Sequence, residues 1–159
     1  MAASKTHDGD RTVAANRKAL YDFHIEERLE AGMVLTGSEI KSVRAGRISL
    51  QEAYAQIDRG EAWLLGSHIA PYEHAGYAGH EPLRRRKLLL HAKEIARLAF
   101  ELKTAGMTLV PLRVYLKNGR AKLELGVAKG KKQHDKRQAI REKDDVRQMA
   151  RSAARVGRE

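Results

Sequence analysis

The sequence predicts a mainly β fold, a small closed antiparallel barrel with added short helices and a basic C-terminal tail. Three observations lead to this prediction. Residues 53–69 and 112–127 each alternate apolar with polar residues on both sides of a turn sequence. Residues 36–44 and 91–105 instead space their apolar residues as helices do. From Gly130 onward, ten Lys and Arg residues stand against five Asp and Glu.

The chain divides into three predicted regions. Residues 1–16 are small and polar without hydrophobic periodicity, so we expect a disordered N-terminal extension. Residues 17–129 are expected to form the barrel, because 159 residues with 42% hydrophobic content support one modest core. Residues 130–159 are the basic tail.

The first predicted strand lies near residues 21–29, where Phe23 and Ile25 alternate with polar neighbours. A short helix follows, for which Ser38 is a suitable N-cap and Gly46 lies just past the end.

A hairpin and a second helix come next. Strands near residues 53–57 and 62–69 flank a turn sequence that ends at Gly60. The helix over residues 91–105 stops before Gly106. It has an apolar stripe at i, i+3, i+4 and i+7, which consists of Ile95, Leu98, Ala99 and Leu102.

The last predicted hairpin has the clearest signal. Residues 112–117 and 121–127 alternate strictly, and Asn118-Gly119 between them is the preferred type I′ turn. Short antiparallel strands interrupted by helices favour a barrel of OB type, because closure removes the exposed edges of such strands.

The charge of the chain indicates a polyanionic partner. Lys and Arg number 31 against 20 Asp and Glu, which gives a net charge of +11, typical of nucleic-acid-binding proteins. The chain has no cysteine, which excludes disulfides and thiolate metal sites. It also has neither an apolar signal core nor an apolar segment of membrane-spanning length. We therefore expect a soluble cytoplasmic protein without a membrane partner.

Three patterns that suggest catalysis or metal binding lack the spacing that such sites require. GVAKGKK has three residues between its glycines, whereas the phosphate loop has four. Histidines at six-residue intervals fit neither a helical pair nor a standard zinc site. A solvated strand end explains the acidic cluster. We expect no catalytic residue, no metal and no cofactor. The histidines are His68, His74 and His80, and the acids are Glu26, Glu27 and Glu30.

Clusters of cations could instead follow an RNA backbone along one face of the barrel. Because solvated charged faces give the same pattern, charge indicates a class of partner only. Four tyrosines could stack on unpaired bases or pack into the barrel. The cations are Arg17, Lys18, Lys41, Arg44, Arg47, residues 84–87, Lys129, Lys131 and Lys132, and the tyrosines are Tyr21, Tyr54, Tyr72 and Tyr77.

Five motifs, in this order along the chain, closely resemble the SmpB family of bacterial SsrA-binding proteins. They are ANRKA from Ala15, EAG from Glu30, LTGSEIKSVRAG from Leu35, RKLLL from Arg86 and GVAKGKKQHDKR from Gly126. The resemblance runs from about Ala15 to Arg137 and is specific, because the last motif is long and all five keep the order of the family.

The resemblance implies a non-enzymatic protein with an OB-type barrel. Such a protein binds the tRNA-like domain of transfer-messenger RNA and carries it into the vacant A site of a stalled ribosome, where the nascent chain is tagged for degradation. The implied partners are this RNA and the stalled ribosome with its small-subunit rRNA. We expect the free protein to be a monomer.

The motifs also imply which residues contact the RNA. Glu30 in EAG and Leu89 in LLL fall on the recognition surface of the family, and His91 stands where the family usually has Asn. The basic segment of the family corresponds to Lys129, Lys131 and Lys132.

In the family, the tail folds into a helix in the decoding centre and along the empty mRNA channel. The resemblance implies that His134 stacks on an rRNA base, that Asp135 caps the helix, and that Lys136 and Arg137 pair with phosphates. Beyond Arg137 the sequence departs from the family pattern, so no further contacts are transferred. The apolar stripe there is too narrow to fold alone, and we expect disorder until binding. The stripe consists of Val146, Met149, Ala150 and Ala153.

Two other functions stay open. One is a general OB-type binder of single-stranded RNA or a ribosome assembly protein, whose tail would be a nonspecific electrostatic arm. The other is an RNA-modifying or RNA-cleaving enzyme, for which no catalytic cluster is recognisable. The ordered motifs favour the SmpB-like function over both.

Overall fold

The computed structural model describes residues 11–73 and 79–157. Within these ranges the chain forms nine strands and four helices. In chain order they are β1 (Arg11–Ala15), α1 (Arg17–Asp22), β2 (Phe23–Met33), α2 (Gly37–Arg44), β3 (Ile48–Ser49), β4 (Tyr54–Asp58), β5 (Glu61–Leu65), β6 (His68–Ile69), β7 (Arg86–Leu89), α3 (Ala92–Thr104), β8 (Thr108–Lys117), β9 (Arg120–Gly130) and α4 (Gln133–Val156).

Seven strands make one antiparallel sheet in the order β1-β8-β4-β5-β7-β2-β9. Because β9 also pairs with β8, the six strands from β8 to β9 form a nearly closed ring, with β1 added outside β8. The weakest seam joins β4 to β8 through the single pair Ala55 and Leu109. β3 and β6 form a separate small sheet. The predicted mainly β, antiparallel class with added helices is confirmed.

Both predicted hairpins are confirmed, and their turns explain why the sequence signal is strong. Asn118 and Gly119 have φ values of 51° and 75°, and Arg59 and Gly60 have 52° and 76°. A positive φ at both central residues defines the type I′ turn, whose twist matches that of the flanking strands. The strands of the second hairpin extend further than predicted, over 108–117 and 120–130.

The two predicted helices are confirmed as α2 and α3, but the predicted cap of α2 is wrong. Thr36 is the N-cap, and its hydroxyl accepts from the Glu39 N–H at 3.4 Å while the Glu39 carboxylate accepts from the Thr36 N–H at 2.9 Å. This reciprocal pair is a capping box. Ser38 instead hydrogen-bonds His80 Nδ1 at 2.8 Å. Gly46 has a φ of +76° past the helix end, as its predicted role requires.

The N-terminal part differs from the prediction at two places. Residues 11–15, predicted within a disordered extension, pair with β8 as a strand. Residues 17–22 form a helix, whereas the predicted first strand began near residue 21. The helix forms because the Asn16 side chain accepts from the Ala19 N–H and Ala19 is buried. The strand therefore starts at Phe23.

The core lies inside the ring, with α3 packed against it through Leu98. A second, smaller apolar cluster lies on the outside of the sheet beneath α1, and it consists of Ala19, Val110, Leu112 and Ala128. α1 therefore covers one end of the outer face of β2, β8 and β9. The other end of that face is left open.

The tail is a single helix, α4, in this structure. Its described side chains from Ile140 to Arg155 are all exposed, including Val146 and Met149 of the predicted apolar stripe. Packing against the body therefore involves the first turns of α4. The helical form agrees with what the resemblance implies for the bound tail, and disorder before binding stays a prediction.

Candidate nucleic-acid interface

An open groove of about 280 Å³ lies where β2, β7 and β9 meet α2. Its floor is apolar and its rim carries two cations. The lining residues are Gly32, Met33, Leu35, Ile40, Leu89, Gly119, Arg120, Ala121 and Lys122. We call this the β9 groove. An apolar floor with a basic rim suits a nucleotide, whose base is flat and whose phosphate is anionic.

Strand register brings Leu89 to the β9 groove. Gly32 of β2 lies opposite both Leu89 of β7 and Lys122 of β9. A Cβ at Gly32 would stand 3.3 Å from the Leu89 Cβ, so glycine lets the leucine pack closely over β2. Leu89 is 55% exposed, which is unusual for a strand leucine of a small domain.

Glu30 lies two residues before Gly32 and therefore on the same face of β2 as Gly32. Its carboxylate accepts a hydrogen bond from the Tyr115 hydroxyl and lies 3.6 Å from Lys117 Nζ. The Tyr115 hydroxyl lowers the pKa of Glu30 against the opposing effect of burial, and Lys117 and Lys122 lower the pKa further. Glu30 is therefore an anionic acceptor within a basic surrounding.

Tyr115 is a residue of this site that the sequence analysis missed. Only 3% of Tyr115 is exposed, yet its hydroxyl reaches the surface carboxylate of Glu30. A signal was present, because the Asn118-Gly119 turn sets the register that pairs Tyr115 with Lys122. What sequence could not supply was the pairing of β9 with β2, which puts Glu30 beside that tyrosine.

An ion-pair network continues from Glu30 along the open face. The buried Glu124 carboxylate binds Arg113 at 2.6 Å and Arg28 at 2.8 Å. Burial raises the pKa of Glu124, but the two arginines outweigh burial and lower it. Arg113 also stacks on the Tyr115 ring, 4.4 Å from its centroid. These contacts fix the side chains around Glu30.

α2 borders the β9 groove with part of its predicted cationic set. Arg44 donates to the Gly119 carbonyl at 3.2 Å and so lies at the groove. Lys41 lies over the Tyr72 ring, 5.3 Å from its centroid, and Arg47 pairs with Glu73 at 3.7 Å. Lys41 and Arg47 thus face the segment around residue 72 rather than the groove.

The cationic run at residues 84–87 is committed to contacts within the protein. Arg86 is fully buried and binds Glu39 at 2.6 Å and the Ser67 carbonyl at 2.8 Å. Its prediction as a phosphate contact is wrong, because its guanidinium is enclosed by Glu39 of α2 and by the backbone carbonyls of Ser67, Glu81 and Pro82. The other three cations pair with acids, Arg84 with Glu39, Arg85 with Asp58 and Lys87 with Glu61.

The predicted histidines do not form a common site among the described residues. His91 is exposed, two residues after Leu89, and its N–H donates to Glu94 at 3.3 Å. His80 contacts Ser38 and the Ile69 carbonyl, while His74 and Tyr77 lie outside the described residues. Among the described residues no cluster of His, Asp and Glu has metal-binding geometry. In the same part of the chain no helix is long and apolar enough to cross a membrane.

Lys129 near the end of β9 and Lys131 just after it lie at the far end of that strand from the groove. Lys129 stands opposite His24, with its Nζ 3.7 Å from Glu26. Lys131 Nζ donates to the Leu20 carbonyl at 3.2 Å. Seven residue steps along the strand separate Lys122 from Lys129, roughly 23 Å at the usual rise. The structure therefore places these lysines far along the strand from Arg120 and Lys122 at the β9 groove.

The structure places the remaining predicted cations and the first tail residues near α1 and α4. Arg17 and Lys18 are exposed at the start of α1 and border residues 48–51. Lys136 contacts Asp22 at the end of α1, and Arg137 is exposed. α4 begins at Gln133, so Asp135 lies in its first turn and not at the predicted N-cap position. The side chains of His134 and Asp135 lie outside the described part of the chain.

Comparison with known proteins points to one family. The SmpB protein family model matches residues 13–155. An SsrA-binding protein of Desulfitobacterium hafniense (strain DSM 10664 / DCB-2) is 51% identical over 144 residues, which cover 91% of this chain and 92% of the relative. The SsrA-binding protein of Streptococcus sanguinis (strain SK36) is 58% identical over 141 residues, 89% of this chain and 91% of the relative.

A solved structure gives the same result for the fold. It is described as "tmRNA-SmpB: a journey to the center of the bacterial ribosome", and one of its chains superposes with a TM-score of 0.62 at 44% identity. The superposition covers 80% of this chain and 93% of that chain.

Proposed function

The chain belongs to the SmpB family, and from this membership we infer that it binds SsrA RNA and acts with this transfer-messenger RNA in trans-translation on the ribosome. It is a non-enzymatic RNA-binding protein. The match of the family model over residues 13–155 carries this conclusion.

The β9 groove is our proposed contact with the tRNA-like domain of the RNA. Leu89 offers an exposed apolar surface to a base or ribose, and Arg120 and Lys122 offer charge to phosphates. Glu30 would repel phosphate, so its role is to accept hydrogen bonds from base or ribose donors. The nearly closed six-stranded ring supports an OB-type barrel as the scaffold.

The tail is our proposed contact with the ribosome. α4 is basic and its described surface beyond the first turns is uncovered, which leaves it available for the decoding centre and the empty mRNA channel. A helix with many cations can follow rRNA phosphates. Delivery of the RNA to the A site of stalled ribosomes then uses the β9 groove and the tail together. Because ribosomes work in the cytoplasm, this role places the protein there.

The RNAs that copurify with the protein from its own cells test this function. Sequencing them should return one dominant structured RNA. A broad mixture without a dominant species would favour the general RNA-binding alternative and contradict the proposal.

Glu30→Gln should reduce affinity for the tRNA-like RNA about tenfold while leaving affinity for a scrambled RNA nearly unchanged. Loss of a charged acceptor costs about 1.5–3 kcal/mol where it is paired with a specific donor. Tyr115→Phe should also reduce affinity for the tRNA-like RNA, but by less. The Tyr115 hydroxyl would no longer hold the Glu30 carboxylate in position through its hydrogen bond.

Equilibrium binding of both RNAs at one salt concentration is the measurement. Glu52→Gln is the matched control, since Glu52 is exposed in the turn before β4 and does not line the β9 groove. Equal losses on both RNAs for Glu30→Gln would contradict a role in discrimination.

Neutralising Lys129, Lys131 and Lys132 to glutamine should weaken RNA binding and flatten its salt dependence. Each lost phosphate contact removes roughly 0.7 to 0.9 released counterions, so the log-log slope should fall by about 2 if all three touch phosphate. Binding across a salt series measures the slope. Lys93→Gln with Lys103→Gln is a control for net charge, because both lysines are exposed on α3. An unchanged slope would show that the three lysines do not contact phosphate.

A further inference from the structure

The start of the tail is attached to the body through a contact between α4 and α1. Lys136 Nζ lies 3.2 Å from Asp22 Oδ1 and 5.7 Å from the centroid of the Tyr21 ring. About three quarters of each partner side chain is buried, with 26% of Lys136 and 24% of Asp22 exposed. The pair is therefore less screened by solvent than the other tail side chains.

A second link lies one residue after β9. The Lys131 N–H donates to the Asp22 carbonyl at 2.8 Å, and Lys131 Nζ donates to the Leu20 carbonyl at 3.2 Å. Carbonyls at the C-terminal end of a helix lack partners within that helix and attract cations. The end of α1 thus receives two lysines of the tail, one before α4 and one within it.

Two contacts at different positions along the chain fix the direction of α4 relative to the body. A single contact would let the helix rotate about it. Lys131 fixes where the chain leaves β9, and Lys136, five residues later, fixes the first turns of α4 against α1. The described side chains from Ile140 onward are all exposed, so later residues add little to hold the helix in place. Asp22 takes part in both links, through its carbonyl and its carboxylate.

We propose that Asp22 is a positioning residue for the tail, which holds Lys136 and so sets the direction in which α4 leaves the body. The functional part of this proposal rests on the proposed function of the tail on the ribosome. Lys136, which the resemblance pairs with phosphate, here makes a contact within the protein. The RNA-binding body and the ribosome-binding helix are thereby held in one arrangement.

Distance measurements between spin labels test the positioning directly. The chain has no cysteine, so cysteines introduced at the exposed positions Gln51 and Ser152 label one site on the body and one on α4. On stalled ribosomes, where the bound tail is helical under the proposed function, the labelled full chain should give a narrow distance distribution, and Asp22→Asn should broaden it. Glu26→Gln is the matched control, because the Glu26–Lys129 pair is more than half exposed and lies before the tail. An unchanged distribution in Asp22→Asn would overturn the proposal.

Peptide tagging on stalled ribosomes tests the consequence. Asp22→Asn should lower the tagging rate about twofold to fivefold, the range for loss of a modest ion pair, at unchanged affinity for the RNA. The charge exchange Asp22→Lys with Lys136→Asp should restore the rate. If Lys136 instead serves only a phosphate, Asp22→Asn will tag at the normal rate and the exchange will fail, which would overturn the proposal.

The remaining outcomes are also decisive. A broadened distance distribution with full tagging would overturn the functional part. If the unaltered protein does not support tagging, the proposed function fails, while the distance distribution still decides whether Asp22 positions α4.

Discussion

Glu39→Gln is expected to destabilise the fold by about 3–5 kcal/mol, because it leaves the fully buried Arg86 guanidinium without its counterion. Glu39 binds Arg86 at 2.6 Å and Arg84 at 2.5 Å and closes the capping box of α2. The substitution therefore removes the counterion of Arg86, while Thr36 still caps α2.

The midpoint of urea unfolding at neutral pH measures this loss. Glu61→Gln is the matched control, because Glu61 pairs with the next residue of the strand, Lys87, at 3.1 Å on an exposed face. The control should lose less than about 1 kcal/mol. Similar small losses in both variants would show that Arg86 tolerates an unpaired buried charge.

The pH dependence of stability gives a second measure of the same contact. Hydrogen bonds from Arg84, Thr36 and Arg86 outweigh burial and lower the pKa of Glu39 from 4.5 to about 2. A lowered pKa in the folded state contributes stability that is present above pH 4.5 and is lost as the pH falls toward 2. For this fully buried group the contribution is about 3 kcal/mol. Glu39→Gln should remove that part of the acid dependence.

Ending the chain after Lys132 should leave RNA binding within a few fold of the full protein and abolish peptide tagging. The truncation removes α4 and its contact with Asp22 but keeps the ring, the β9 groove and the proximal lysines. The lost cations mainly attract at long range, and salt screens this attraction over roughly 8 Å at physiological ionic strength. Under the proposed role of the tail, a chain without α4 has no element left to fill the empty decoding site.

Both activities should be measured on one preparation at matched salt. A chain ended after Arg155 is the matched control for shortening, since it keeps nearly all of α4. Tagging at the full rate by the short chain would disprove the separation of the two roles. Loss of both activities would assign the tail to primary RNA recognition.

Local chemistry explains which parts of the fold were predictable. Asn118-Gly119 and Arg59-Gly60 determine their turns within a few residues, and Gly46 marks the end of α2 just as locally. The helix at residues 17–22 depends on the Asn16 cap and on the burial of Ala19 against β8 and β9. The six residues of the helix do not reveal that packing on their own. The cap of α2 was misassigned because Thr36 and Ser38 are both good caps and only Glu39 decides between them.

The candidate site was predictable only where motifs supplied it. Glu30 and Leu89 followed from the family resemblance, whereas Tyr115 and the groove depend on pairings of β2 with β7 and β9. Charge was the most misleading signal. Arg86 lies in a basic run, but it is buried with its counterion Glu39, which lies 47 residues earlier in the chain. Counting cations in sequence therefore overstates the number available to phosphate.

The length of β9 has a mechanical consequence. This strand starts at the groove with Arg120 and ends at Gly130, and it is hydrogen-bonded to β2 on one side and β8 on the other. Its ten residue steps span roughly 33 Å. A strand held on both sides can neither stretch nor shorten without breaking its ladders. β9 is thus a rigid spacer, and its residue count sets the distance between the β9 groove and the start of the tail.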